Sequence, residues 1–255
     1  MKIALFQTSL AWENPKSNRT FIEEYFINED EEFDLFVLPE MFTTGFSMNP
    51  ENVAEEMNGE TISWMKSLAI KKDCAVCGSL VVSENNSFYN RFIFVHPNRK
   101  IDFYNKRHLF SLAGEHQKYS KGTSKVIIEY KDWKICPQVC YDLRFPAFSR
   151  NHENYDLLLY VANWPKPRTN AWDILLKARA VENLCYVVGV NRIGLDENNH
   201  EYIGHSQVID ELGNQILNAE ENTGVFIVEL DKNKMLETRN KLNFLNDKDD
   251  FEIIV

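Results

Sequence analysis

Apolar positions in this chain gather into short continuous runs of strand length, separated by segments in which they recur at helical spacing. The first run, residues 2–7, reads as a short, mostly buried strand. Asn14-Pro15 then opens a helix with Phe21, Ile22, Tyr25 and Phe26 along one face and acids on the other. The run at 34–38 is stopped by Pro39, and directly after it stand Glu40 and the turn-prone loop MFTTGFSMNP. Residues 60–72 form a second helical pattern with Ile62, Met65, Leu68 and Ala69 as its stripe. Strands are expected at 75–82, 88–95 and 100–104, the last two antiparallel around Pro97-Asn98. The segment NKRHLFSLAGEHQKYSKG shows no clean period.

The second half repeats the alternation. Residues 126–130 and 133–139 read as a hairpin across Lys131-Asp132, and 156–162 as another buried run ended by Asn163-Trp164-Pro165. A helix over 170–182 carries Trp172, Leu175, Leu176, Arg179 and Ala180. Strands follow at 186–190, 204–210 and 226–230, then a short helix from Asp231 and an acidic tail that ends in the apolar, strand-like EIIV. Buried strands interleaved with amphipathic helices imply a layered α/β fold, and the hairpin-like pairs imply mixed sheets. No linker or composition shift divides the 255 residues, so a single domain over 1–255 is expected.

Composition narrows the function classes. A net charge of −10 lacks the basic footprint of a nucleic-acid binder. The five cysteines have unrelated spacings and the N-terminus lacks a secretory signal pattern, which points to free thiols in a reducing compartment and a cytoplasmic location. No run approaches the ~18 apolar residues of a membrane span. Cys74 and Cys77 have C-x-x-C spacing, but they lie in an apolar strand without a second pair, so neither zinc nor a redox role is expected.

The chemistry concentrates where buried runs end. The strand at 133–139 breaks off at Cys140 into YDLRFP, so a thiol stands at a sharp turn on a rigid scaffold, with the next backbone N–H, that of Tyr141, free to face a substrate. Glu40 and Lys106 stand after strands in the same way. A thiol needs a base at neutral pH, a buried carboxylate can be that base, and an ammonium can face the oxyanion formed on attack at a carbonyl. Taken singly, each has a plainer reading as a core thiol, a loop acid or a surface charge, and spacing alone leaves their convergence open.

The segments LPEMFTTGF, NKRHLF and CYDLRFP resemble, in order, the three signature segments of the nitrilase (carbon–nitrogen hydrolase) superfamily. VANWPKPRTNAWDILLKARAVEN and VGVNRIG fit the same pattern, so the resemblance runs from the opening strand to about residue 230. It implies a four-layer α-β-β-α sandwich with no metal and no organic cofactor. It implies that Cys140 attacks an amide carbonyl to form a thioester, that Glu40 moves the protons, and that Lys106 and the Tyr141 N–H hold the oxyanion. Glu115, in LAGEHQKY, matches the further glutamate that positions the lysine.

The strings EMFTTGFSM, KRHLFSLAGEH and VANWP resemble most closely the omega-amidases, which release ammonia from 2-oxoglutaramate and 2-oxosuccinamate. The substrate expected is therefore a small 2-oxo amide, and its carboxylate needs a cation: Arg144 or Arg168, although Arg144 also reads as a structural ion-pair partner at the turn. Phe42, Tyr141 and Trp164 follow strand ends and are expected to line the pocket. Alternatives within the family are an N-carbamoyl amine, a deaminated glutathione, an aliphatic amide or a nitrile, and outside it a non-catalytic binding module. The family pattern also implies a homodimer or larger homo-oligomer, with EIIV suited to a subunit contact.

Overall fold

The computed structural model describes residues 1–253. The first half runs β1 (Lys2–Gln7), α1 (Pro15–Asn28), β2 (Leu35–Val37), α2 (Pro50–Val53), α3 (Glu60–Lys71), β3 (Ala75–Glu84), β4 (Ser87–Val95), β5 (Ile101–Asn105) and α4 (Glu115–Lys118). There follow β6 (Ile128–Tyr130), β7 (Trp133–Val139), α5 (Pro146–Ser149), β8 (Leu157–Ala162), α6 (Thr169–Asn183) and β9 (Tyr186–Asn191). The last part holds β10 (Ile193–Leu195), β11 (Glu201–Ile203), β12 (Gln207–Ile209), β13 (Gln215–Asn218), β14 (Gly224–Glu229) and α7 (Lys232–Leu242).

Two six-stranded sheets result, in the orders β14-β1-β2-β3-β4-β5 and β13-β12-β9-β8-β7-β6. Each has a parallel centre, β1-β2-β3 in one and β7-β8-β9 in the other, flanked by antiparallel strands. The continuous apolar runs have a direct cause, because both faces of each centre are covered. Leu35 and Val37 of β2 meet Leu157, Leu159 and Val161 of β8 in one core between the sheets. Phe36, one residue out of phase, faces Ile22, Phe26, Ile62 and Met65 from α1 and α3. Leu158 and Tyr160 face Trp172 and Leu176 of α6. Helix, sheet, sheet and helix thus stack as four layers, the α-β-β-α sandwich that the motifs imply.

Local signals work as read in several places. Asn14 caps α1 by accepting the Ser17 N–H at 3.1 Å, with Pro15 in its first turn, and Asp231 caps α7 in the same manner. Lys131 and Asp132 take φ of +45° and +62°, the left-handed pair that a tight hairpin needs. Other expectations need correction. The strand expected at 204–210 shrinks to Gln207–Ile209, because Gly204 and His205 turn at φ +78° and +59°. The tail forms no strand through Ile253, and Phe251 instead packs edge-on against His152 at 5.0 Å. Ile254 and Val255, half of the EIIV piece, lie outside the described residues.

Parallel centres carry strand C-termini to one edge of each sheet. β5 runs in the direction of β3, since both are antiparallel to β4. Residues after β2 and β5 of one sheet and after β7 and β8 of the other therefore meet at a common rim.

Candidate active site

Cys140 begins the tight turn Cys140–Arg144 directly after β7, at φ +47°. A non-glycine residue pays about 1–3 kcal/mol to sit there and holds the conformation only where its surroundings over-determine it. Here Asp142, fully buried, ties the turn from one side. Its Oδ2 accepts the Val139 N–H at 2.9 Å and the Tyr104 hydroxyl at 2.8 Å, and its Oδ1 accepts the His108 N–H at 2.9 Å. The Tyr104 hydroxyl in turn accepts the Arg107 N–H at 3.0 Å, so one carboxylate links the cysteine turn to the segment after Lys106. From the other side, Arg179 of α6 donates to the Leu143 carbonyl at 2.6 Å.

Glu40, Lys106 and Glu115 form a buried cluster beside this turn. Lys106 Nζ lies 2.9 Å from Glu40 Oε1 and 3.0 Å from both oxygens of Glu115. The Asn90 amide donates to Glu40 at 2.8 Å and to Glu115 at 3.2 Å. Asn163 donates its backbone N–H to Glu40 Oε2 at 2.8 Å, and the Phe110 N–H reaches Glu115 Oε2 at 2.5 Å. The geometry brings together all four residues named from the motifs. Cys140 Sγ faces the Asn163 carbonyl at 3.8 Å, across the rim from β8.

Electrostatics follow from this packing. Burial, then the adjacent Glu40 charge, push the Cys140 thiol well above its usual range, with Lys106 opposing. The resting group is a thiol, and its attack requires a base. Burial pulls Lys106 downward, but the charges of Glu115 and Glu40 outweigh it and hold the ammonium above the usual lysine range. Burial raises Glu115 against the pull of Lys106.

Cys140, beside this cluster, opens onto a cavity of about 600 Å³. Tyr141, Asn163, Trp164, Phe46 and Phe110 line it together with Cys140. The Arg144 guanidinium lies 4.9 Å over the Trp164 ring and that of Arg168 lies 5.1 Å over Phe110. Among the described residues neither forms a salt bridge, so the structural ion pair expected of Arg144 is absent. Both cations face the cavity without a carboxylate partner.

Phe42 does not line it. Met41 turns at φ +44° and swings Phe42 beneath β3, where its ring approaches Gly78 so closely that a Cβ there would lie 2.8 Å away. Phe42 belongs to the core under α1 and α3. Cys74 and Cys77 fall in different cores, on opposite faces of the first sheet, and do not form a pair.

Several residues escape the sequence reading. Asn163 stands after β8 as Cys140 stands after β7, so the strand-end rule that singled out Cys140 reaches it too. Asn90 lies in mid-strand and carries no such signal. Trp12, Asp196 and Tyr202, from the loop after β1 and from the β10–β11 hairpin, build the far wall.

The carbon-nitrogen hydrolase family model matches residues 2–240. The chain is similar to the omega-amidase YafV of Yersinia enterocolitica, 41% identical over 259 residues that cover 100% of this chain and 99% of the relative. It is 33% identical to the 2-oxoglutaramate amidase of Bacillus subtilis, over 96% of both chains. The crystal structure of XC1258 from Xanthomonas campestris, a CN-hydrolase superfamily protein with an arsenic adduct in its active site, superposes with a TM-score of 0.97. That pair is 39% identical and covers 99% of this chain and 98% of the other.

Proposed function

The chain belongs to the carbon–nitrogen hydrolase family and hydrolyses amide carbon–nitrogen bonds, and from that premise we propose that it is an omega-amidase. Its substrate is a 2-oxo acid carrying a terminal carboxamide, 2-oxoglutaramate or 2-oxosuccinamate, and its products are the 2-oxo-dicarboxylate and ammonia. One observation carries the reading: two guanidiniums without carboxylate partners among the described residues face the same cavity as Cys140, which stands beside the buried Glu40–Lys106–Glu115 cluster. That combination suits an anionic amide. The similarity to YafV and to the Bacillus subtilis 2-oxoglutaramate amidase supports it.

Cys140 Sγ attacks the amide carbon as Glu40 takes the thiol proton, forming the C–S bond. The oxyanion rests against Lys106 Nζ and the Tyr141 N–H. The tetrahedral species collapses with cleavage of the C–N bond, and Glu40 gives its proton to the departing nitrogen, releasing ammonia. Water, deprotonated by Glu40, then adds to the thioester. Cleavage of the C–S bond and return of the proton to sulfur release the acid. Glu115 keeps the ammonium of Lys106 aimed at the oxyanion, and Arg144 and Arg168 receive the carboxylate of the substrate, with Trp164 and Tyr141 as walls.

Residues 1–255 act as one catalytic domain, and the protein works in the cytoplasm as a homodimer or larger homo-oligomer. Among the described residues no helix is long and apolar enough to cross a membrane. A second reading, deaminated glutathione or another larger amide, is favoured by the cavity of about 600 Å³, which exceeds a five-carbon substrate. Ammonia release from 2-oxoglutaramate, 2-oxosuccinamate, glutamine, deaminated glutathione and a nitrile separates these readings. The expected order has the 2-oxo amides first, by more than tenfold in kcat/KM over glutamine. A best rate on the larger amide or the nitrile contradicts the assignment.

A further inference from the structure

Phe110 joins the cations of the cavity wall to the groups that perform the chemistry. It lines the cavity, and its ring lies 5.1 Å from the Arg168 guanidinium and 5.0 Å from the Tyr141 ring, which it meets edge-on. Its backbone is bonded to Glu115 in both directions. The Phe110 N–H donates to Glu115 Oε2 at 2.5 Å, and the Phe110 carbonyl accepts the Glu115 N–H at 3.3 Å. Glu115 in turn accepts from Lys106 Nζ at 3.0 Å through both of its oxygens. A single residue therefore touches Arg168, Tyr141 and the carboxylate that aims Lys106.

Arg168 can hold a substrate and this ring at once. A guanidinium stacks on an aromatic ring through its face and binds a carboxylate through its edge, so the two contacts do not compete. The base of the residue is fixed, since its carbonyl accepts the Trp164 Nε1–H at 2.7 Å, while its head has no carboxylate partner among the described residues. A carboxylate that engages the edge restricts the head, and with it the Phe110 ring, to one arrangement. Binding energy from a non-reacting group raises kcat only when it is used to orient the reacting ones. We propose that Phe110 is a positioning residue that carries carboxylate binding at Arg168 to the oxyanion site, so that the charged end of the substrate raises kcat as well as lowering KM. The inference rests on the reading of Arg168 as a carboxylate receiver and adds the route by which that contact reaches Lys106 and Tyr141. Attack on the amide and hydrolysis of the thioester both use this oxyanion site, so whichever step is slower reports the effect.

The test compares ammonia release from 2-oxoglutaramate and from its 1-methyl ester, which keeps the amide and the 2-oxo group and lacks the charge. Wild type is expected to lose at least about tenfold in kcat on the ester, besides a rise in KM. Phe110→Leu keeps the apolar bulk and the backbone N–H and removes the ring face. In this variant the acid-to-ester ratio of kcat is expected to fall to within about twofold of unity, while the ratio of KM stays as in wild type. Should Phe110→Leu fail to fold, Arg168→Lys decides the matter, because an ammonium attracts the carboxylate but lacks the planar face and edge of a guanidinium. Its kcat ratio is expected to fall in the same way. An equal fall in kcat on both substrates marks a merely structural role and overturns the proposal. A wild type that prefers the acid in KM but not in kcat overturns the proposal alone and leaves the omega-amidase reading intact. A wild type that prefers the acid in neither contradicts that reading and the proposal together.

Discussion

Cys140 carries two burdens that its neighbours relieve: a backbone held at φ +47° and a thiol that burial keeps protonated. Asp142 and Arg179 address the first, Glu40 the second. Glu40→Gln keeps the shape and most of the hydrogen bonds of that side chain while removing the base. Its kcat is expected to fall on the order of 10²–10⁴-fold with KM changed far less, measured by steady-state ammonia release. A loss confined to KM assigns Glu40 to binding instead. Strand-end logic makes Glu40 and Cys140 legible in the sequence, because each directly follows a buried run. Phe42 shows where that logic stops. It shares the parity of Glu40, but the left-handed turn at Met41 sends its ring into the core, and nothing in the residue types announces that turn.

At the scale of elements, legibility tracks burial. β2, β7, β8 and β9 are covered on both faces, so each leaves an apolar run that reads as a strand. β13 is mostly exposed and β11 holds one buried residue of three, so their partners, not their own pattern, make them strands. These are among the elements the sequence reading lacks, and β11 helps to build the far wall of the cavity. The fit of α6 to the second sheet depends on Gly189 in β9, where a Cβ would lie 2.6 Å from Leu176 and 2.7 Å from Trp172. Gly189→Ala is expected to cost roughly 1–3 kcal/mol by overpacking, read as a lower urea midpoint with the slope unchanged. A neutral or stabilising result means that α6 shifts without strain. Because α6 also carries Arg179, activity is expected to fall along with stability.

Across the whole molecule, all five cysteines are free, and burial is the first cause in raising each of their thiols. Cys74 and Cys136 are each pushed up to about 12. In the unfolded chain a thiol loses its proton near pH ~8.5, so between there and about 12 the folded state binds more protons than the unfolded one. Stability from these groups is therefore fully present below ~8.5 and lost as pH rises, by up to about 1.4 kcal/mol per pH unit for each thiol. The urea midpoint is expected to be lower at pH 10 than at pH 7.5. An equal or higher midpoint at pH 10 contradicts thiol burial of this extent.

The four layers also explain why the acid–base cluster is buried. Glu40, Lys106 and Glu115, at strand ends or in the loops after them, are all but fully buried, while Cys140 and the aromatic residues Phe46, Phe110, Tyr141 and Trp164 line the cavity. The account as a whole rests on Cys140 acting as the nucleophile toward a 2-oxo amide. Ammonia release from 2-oxoglutaramate by wild type and by Cys140→Ala, with the fold of the variant checked by circular dichroism, tests this most directly. Rapid release by wild type and none above background from a folded Cys140→Ala is the expected result. Comparable release by both proteins contradicts it.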